Sequence, residues 1–384
     1  MAPSASVSYK FISEQRQLPA AIDKLACRDA IALDIECDNN LHHFGTRVCL
    51  IQLSTPDGNF IIDAQAGLDL TALKKIMESE RIEKVMHDTD FDMRCLDYAY
   101  GWRPKNLFDT QIAARLCGRE RIGLAALIEF HFGKILSKRF QRADWSRRPL
   151  TDEMLSYAAT DSHFLLELRD LLAAELSSAG RMEWAREEFR LCENKRYEPD
   201  ERPAFARVKG AARLKGRPLA VLAALAEERE CIARELDLPV HFVASAEALI
   251  RMALNPPRTK EDISRVRALH PLLRKDGAQR LLSAIEAGSM AQIPEWPRKR
   301  SGPRRHESME MLDALKCWRL KAAKTERIDA DLILPLEAMK RLSAGLPLVK
   351  VLCEPPVREW QRRRFAAEIG VVVGRFKPGR IRDK

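Results

Sequence analysis

The stretch IALDIECDNN, residues 31–40, decides how the chain is read. Ile31, Leu33 and Ile35 recur with a period of two, the pattern of a strand that packs one face. Residues two apart in a strand project to the same side, so Asp34 and Glu36 point together, away from those apolar side chains. Two neighbouring anions repel, and burial without a counter-charge forces one of them to take up a proton. Inside a fold the pair is costly unless a cation or a basic side chain sits between the carboxylates. An edge strand that turns both acids to water accounts for them equally well.

Working outward, AIALDIEC, RVCLIQLST and GNFIIDA fall between residues 28 and 64 and are separated by polar turns, one of them containing TPDGN. They read as an antiparallel three-stranded meander. After DLTALKKIMES comes another apolar stretch, EKVMHD, followed by helical periodicity in FDMRCLDYAY, TQIAARL and GLAALIEFHF. The last helix of the unit is expected to start at Thr151 in LTDEMLSYAATDSHFLLELRDLLAAEL, with Asp152 and Glu153 in its first turn. Residues 1–205 are thus expected to form an α/β domain, a mixed sheet flanked by helices.

Beyond residue 205 helical patterns take over. Laid against 311–343 at an offset of 90, residues 221–253 coincide at eight of 33 positions, among them Leu222 with Leu312, Arg229 with Arg319, and Arg251 with Arg341. A duplicated helical module is the expectation, with units at 206–290 and 306–384. Between them AQIPEWPRKRSGPRR, residues 291–305, combines three prolines with a basic run and reads as a linker.

Charge divides with the architecture. Residues 1–200 hold 27 Lys and Arg against 32 Asp and Glu, while 201–384 hold 38 against 23, for a net +10. An acidic half that can hold cations, followed by basic modules, suits a polyanionic partner such as RNA or DNA, although solvated helix faces are the plainer account. Nine cysteines without a C-x-x-C pair argue against a zinc site or a disulfide framework. No apolar run approaches the ~18 to 20 residues that span a bilayer, and MAPSASVSYK carries no targeting signal, so a cytoplasmic protein with no membrane contact is expected. No G-x-x-x-x-G-K-[ST] occurs, which argues against a helicase engine and a nucleotide cofactor.

Two further sets of side chains join the first pair of acids. Tyr157 and Asp161 are four apart in a strongly periodic segment and share one helix face, as catalytic partners or as a surface contact. In KVMHDTDFDMRCL an apolar strand ends near His87, and Asp88, Asp90 and Asp92 open the next helix. Spacing does not choose among these three, and Asp88 is a natural N-cap.

With Asp34-x-Glu36, Phe91-Asp92 and Tyr157-x-x-x-Asp161 in this order, the chain resembles the DEDD exonucleases of the tyrosine subtype, and within them the ribonuclease D family. RVCLIQLS and ADWSRRPLTDEMLSYAATD are similar to that family's own stretches, and the duplicated module resembles its two HRDC domains. HDTD departs from the pattern, since related sequences tend to carry small or amide residues there.

The resemblance implies a ribonuclease H-like fold and a 3′ to 5′ exoribonuclease that releases 5′-nucleotides, with tRNA precursors as RNA substrates and a monomeric state. It implies two divalent ions, Mg2+ or Mn2+, which carboxylates suit as ligands. Asp34 would bridge both ions, Glu36 and Asp161 would complete one site, Asp92 would support the other, and Tyr157 would orient the attacking water. His87, Phe91, Lys138, Arg139, Trp145 and Arg147 are candidates for substrate contact. The segment SKRFQRADWSRRPL suits phosphates and a stacked base, but Trp145 anchoring a basic loop to the core explains it equally. Arg207, Lys209, Arg213, Lys215 and Arg217, with QRRRF at 361–365, are expected to steer RNA inward.

A haloacid-dehalogenase-type phosphatase fits poorly, because it needs a second aspartate where Glu36 stands. A non-catalytic nucleic-acid-binding protein explains the basic half but not the five site residues together. A DNA-directed 3′ to 5′ exonuclease stays open, since the acids do not distinguish RNA from DNA.

Overall fold

The computed structural model describes residues 7–275, 277–297 and 307–376. The α/β domain is built on one sheet in the order β1-β4-β3-β2-β5-β6. Its strands are β1 Tyr9–Ile12, β2 Ala30–Asn39, β3 Thr46–Thr55, β4 Gly58–Asp63, β5 Glu83–Met86 and β6 Leu107–Asp109. β2, β3 and β4 form the expected antiparallel meander. β1 joins parallel to β4, while β5 and β6 extend the other side in parallel, so the sheet is mixed. β1 escaped the sequence reading because it is short: of its four residues, YKFI, only Ile12 is fully buried.

Among the described residues eight α-helices belong to this domain: α1 Leu18–Ala26, α2 Thr71–Met77, α3 Thr89–Tyr100, α4 Thr110–Leu116, α5 Leu124–Phe132, α6 Asp152–His163, α7 Leu165–Ser178 and α8 Met182–Glu193. The segment expected as one final helix is two, separated at Phe164, and α8 follows it. Both halves keep the same apolar period, which hides the break. One sheet face packs Ile31, Leu33, Ile35, Ile51 and Leu53 with residues of α1, α2 and α3. The opposite face packs Leu50 and Ile61 against Leu155, Ala158 and Ala159 of α6. Asp34 and Glu36 lie on that second face, at the edge of its apolar layer rather than on an outer strand.

Two helical units follow with the same order of elements. The first comprises α9 Arg217–Glu235, α10 Val240–Val243, α11 Ala246–Leu254, α12 Lys260–Ser264 and α13 Ala278–Met290. The second comprises α14 Met309–Glu326, α15 Ala330–Ile333, α16 Leu336–Ser343, α17 Leu348–Leu352 and α18 Glu359–Gly374. One bond repeats with them: Arg229 of α9 donates to the Ala244 carbonyl at 3.3 Å, and Arg319 of α14 donates to the Leu334 carbonyl at 3.2 Å. Donor and acceptor are both displaced by the 90 residues read from sequence.

The first unit begins slightly before residue 206, because Ala204 and Phe205 are buried in its core. Residues 291–297 adopt no regular structure, and 298–306, the rest of the expected linker and the residue after it, lie outside the described residues.

The second unit seats on α4 and α8. Trp184 stacks on Trp360 with ring centroids 4.4 Å apart, Glu188 accepts from Arg358 Nε and Trp360 Nε1, each at 3.0 Å, and Arg115 pairs with Asp331 at 2.7 Å. The basic run QRRRF is largely spent within this unit, since Arg362 and Arg363 pair with Glu359, and Arg364 with Glu326 and Glu368. The first unit meets the β2–β3 loop and the start of β3 through Asp237, which pairs with His43 of the loop at 2.7 Å and Arg47 of β3 at 2.6 Å.

Candidate active site

The strand register sets Asp34 opposite Gln52 and Glu36 opposite Leu50, with an irregularity between Glu36 and Cys37 where β2 turns away. Thr151 caps α6 by accepting from Met154 N at 3.2 Å, and the Ser54 and Ser162 hydroxyls meet at 2.7 Å, which holds the helix over β3. Tyr157 and Asp161, one turn apart on α6, are thereby brought to the paired acids. Ligand oxygens of Asp34, Glu36 and Asp161 all lie within 4.8 Å of one another.

The three acids that spacing left open are now distinct. Asp90 pairs with Arg94 at 2.9 Å and Lys195 at 2.7 Å. Asp88 holds the N-cap position of α3, but its backbone is left-handed, with φ 58°, and its side chain caps nothing. Asp92 is half-buried near Asp34, Glu36 and Cys95. The α3 terminus is satisfied instead by Asp109, which accepts from Asp88 N at 3.3 Å and Thr89 N at 2.8 Å while also capping α4 through Gln111 N and Ile112 N. Sequence reasoning passed over Asp109, although an acid just ahead of an apolar-periodic run is an N-cap signature.

Burial pushes Asp34 up to about 7. Glu36, Asp92 and Asp161 are also raised well above the carboxylate range, first by burial and then by the charge of their acidic neighbours. Among the described residues no lysine or arginine offsets any of the four, so the cluster lacks its counter-charge. Closely set carboxylates without a basic partner are a donor set that suits hard divalent cations.

A pH test follows. An acid whose folded value is raised stabilises the fold below its unfolded value, about 3.8 for Asp34, and loses that contribution as pH rises through about 7. The metal-free protein is expected to melt at lower temperature at about pH 8 than at about pH 5.5, with Mn2+ raising the melting temperature more at the higher pH. Differential scanning calorimetry with and without chelator checks this.

Asp34, Tyr157 and Asp161 open onto a cleft of about 610 Å3 that His87, Gln111 and Lys138 also line. The Thr110 hydroxyl donates to the Met86 carbonyl at 3.1 Å, so it accepts from His87 Nδ1 at 2.9 Å and leaves Nε2 as the ring's acceptor. Burial pulls His87 below its ordinary value, which keeps the ring neutral. Of the other expected contacts, Arg147 is exposed, Phe91 is 46% exposed, and Arg139 pairs with Glu153 at 2.7 Å over the Phe140 ring.

Trp145 is corrected: at 2% exposure, with its centroid 6.0 Å from Tyr157 and 6.4 Å from Phe140, it offers no face to a base and instead supports the tyrosine. Arg148 fixes the same segment to the sheet by gripping Asp63 at 2.5 and 2.8 Å. A second cavity of about 630 Å3 between α8 and α18 carries no comparable chemistry, because its Glu187 caps α18 and its Glu359 is paired with arginine.

The family model for 3'-5' exonucleases matches residues 9–177, and the HRDC domain model matches residues 219–285. Ribonuclease D of Bartonella henselae is 31% identical over 343 residues, covering 88% of this chain and 84% of that protein. The chain belongs to the ribonuclease D family. The family's Sphingobium indicum member is 30% identical over 387 residues, 97% of this chain and 98% of that one. Among solved structures, Escherichia coli RNase D, described as an exoribonuclease involved in structured RNA processing, superposes with a TM-score of 0.70 at 26% identity, covering 96% of this chain and 99% of that one. A protein from Bifidobacterium adolescentis superposes with a TM-score of 0.79 at 25% identity, covering 95% and 99%. The chain is accordingly a 3′ to 5′ exoribonuclease of the ribonuclease D type that uses divalent metal. No helix among the described residues is long and apolar enough to cross a membrane.

Proposed function

We propose that the protein shortens RNA from a free 3′ end in the cytoplasm, with tRNA precursors as its task, acting as a monomer without a nucleotide cofactor. The convergence of Asp34, Glu36 and Asp161 within 4.8 Å, with no basic counter-charge among the described residues, carries the reading. These three, supported by Asp92, would hold two divalent ions, Mg2+ or Mn2+, which when bound activate water and stabilise the leaving oxygen.

The side chains divide the remaining work. Tyr157 keeps its proton, because burial and the charges of Asp161 and Glu36 raise its value far above 10, so its hydroxyl orients a water rather than deprotonating one. His87 Nε2, an acceptor on the cleft wall, takes a hydrogen bond from a hydroxyl of the terminal ribose, and Lys138 draws the phosphate. Lys209, Arg213 and Lys215, exposed and without ion pairs among the described residues, attract the body of the RNA. The repeated arginine bond supports reading the second helical unit as HRDC-type too.

The test compares an RNA with a 3′-hydroxyl, the same RNA blocked at its 3′ end, and the matching DNA, each with and without Mg2+. Stepwise loss of 5′-nucleotides is expected only from the first, and only with metal. Equal degradation of DNA would show that the site does not select the sugar, and preference for DNA would favour a DNA-directed exonuclease.

A further inference from the structure

Gln52 is out of place by its surroundings. It lies in the middle of β3, fully buried, and its flanking neighbours on the same sheet face are the apolar Leu50 and, across β4, Ile61. Both Nε2 and Oε1 lack a hydrogen-bond partner among the described residues. Buried amides are nearly always paired, and a glutamine with both ends unmet destabilises a fold compared with an apolar side chain of the same length. Ser54, two residues along on the same face, shows the contrast, because its hydroxyl is matched by Ser162.

The register points to what Gln52 serves. Gln52 sits directly opposite Asp34, and side chains of an antiparallel pair stand on the same face with Cβ atoms about 4.5–5.5 Å apart. α6 covers this face, and Asp161 adjoins the Ser162 that anchors the helix to β3. The amide therefore lies beneath the acid cluster, next to its central member.

We propose that Gln52 is a positioning residue of the metal site: its Nε2 donates to the Asp34 carboxylate oxygen turned away from the ions and fixes the orientation in which that carboxylate holds them. A carboxylate that holds a divalent cation is an anion, and hydrogen bonds donated to an anion are the stronger ones. Outer hydrogen bonds of this kind orient ligating carboxylates and tune metal affinity. The inference rests on the assignment of Asp34 as a ligand.

The test titrates the full-length chain, without RNA, with Mn2+ by isothermal calorimetry, for the wild type, Q52M and D34N, and measures the melting temperature of each metal-free protein. Methionine keeps the length of the side chain and removes the donor. Q52M is expected to weaken Mn2+ binding by about 10- to 100-fold, while the metal-free protein melts at the same or a higher temperature. Wild-type affinity in Q52M, with binding lost in D34N, overturns the role of Gln52 and favours a buried water as the partner of its amide. A Q52M protein that loses metal-free stability along with affinity also overturns it, in favour of a packing role. Wild-type affinity in D34N overturns the ligand assignment itself.

Discussion

Asp34→Asn is expected to lower exonuclease turnover by at least about 10³-fold while leaving the metal-free fold as stable as the wild type or more so. The two effects have one source. Asp34 is the acid whose charge raises Glu36, Asp92 and Asp161 alike, so its carboxylate is the centre of the repulsion. Asparagine has the same shape and no charge. It relieves the repulsion in the metal-free state and removes a ligand from the three-oxygen cluster. About 10³-fold corresponds to ~4 kcal/mol of lost transition-state stabilisation, a loss that excess Mn2+ does not restore. Single-turnover degradation of a 3′-hydroxyl RNA, paired with calorimetry of the metal-free protein, measures both sides. Turnover near the wild-type rate, or a metal-free protein several degrees less stable, would show that Asp34 balances a positive group and not an ion.

How far the sequence shows this site depends on how local each signal is. The strand bearing Asp34 and Glu36 and the helix bearing Tyr157 and Asp161 are regular elements, where periods of two and 3.6 residues assign faces directly. The duplicated helices announced themselves for a similar reason, since the 90-residue offset preserves Arg229 and Arg319 together with their carbonyl partners. Spacing did not choose Asp92 over Asp88 and Asp90, and only the Phe91-Asp92 resemblance did; the physical difference is three-dimensional, in the Lys195 that comes from beyond α8 and the Asp109 that caps from β6. Trp145 likewise looks the same in sequence whether it stacks on a base or fills the layer beneath Tyr157. Gln52 gives no sequence signal at all: a polar residue on an apolar strand reads as a surface position until the sheet order places β3 in the interior.

Tyr157→Phe should separate positioning from metal binding. Its ring is held between Trp145 and Phe140, with centroids 6.0 and 5.7 Å away, and phenylalanine keeps those contacts, so the fold should be unchanged. Burial, then the neighbouring carboxylates, raises the phenol far above its ordinary value, so the wild-type hydroxyl stays protonated throughout the working range. A group in that state can only donate and accept hydrogen bonds. Its removal is expected to reduce kcat by about 10²- to 10³-fold through misplacement of the water, to leave KM for RNA within a few-fold, and to leave Mn2+ affinity unchanged. The alkaline limb of the pH–rate profile should be the same in both proteins, because no phenolate forms in either. Were Tyr157 instead a general base, the wild type would gain rate toward high pH and the variant would lose that limb alone. Parallel profiles displaced by a constant factor are what the raised phenol requires.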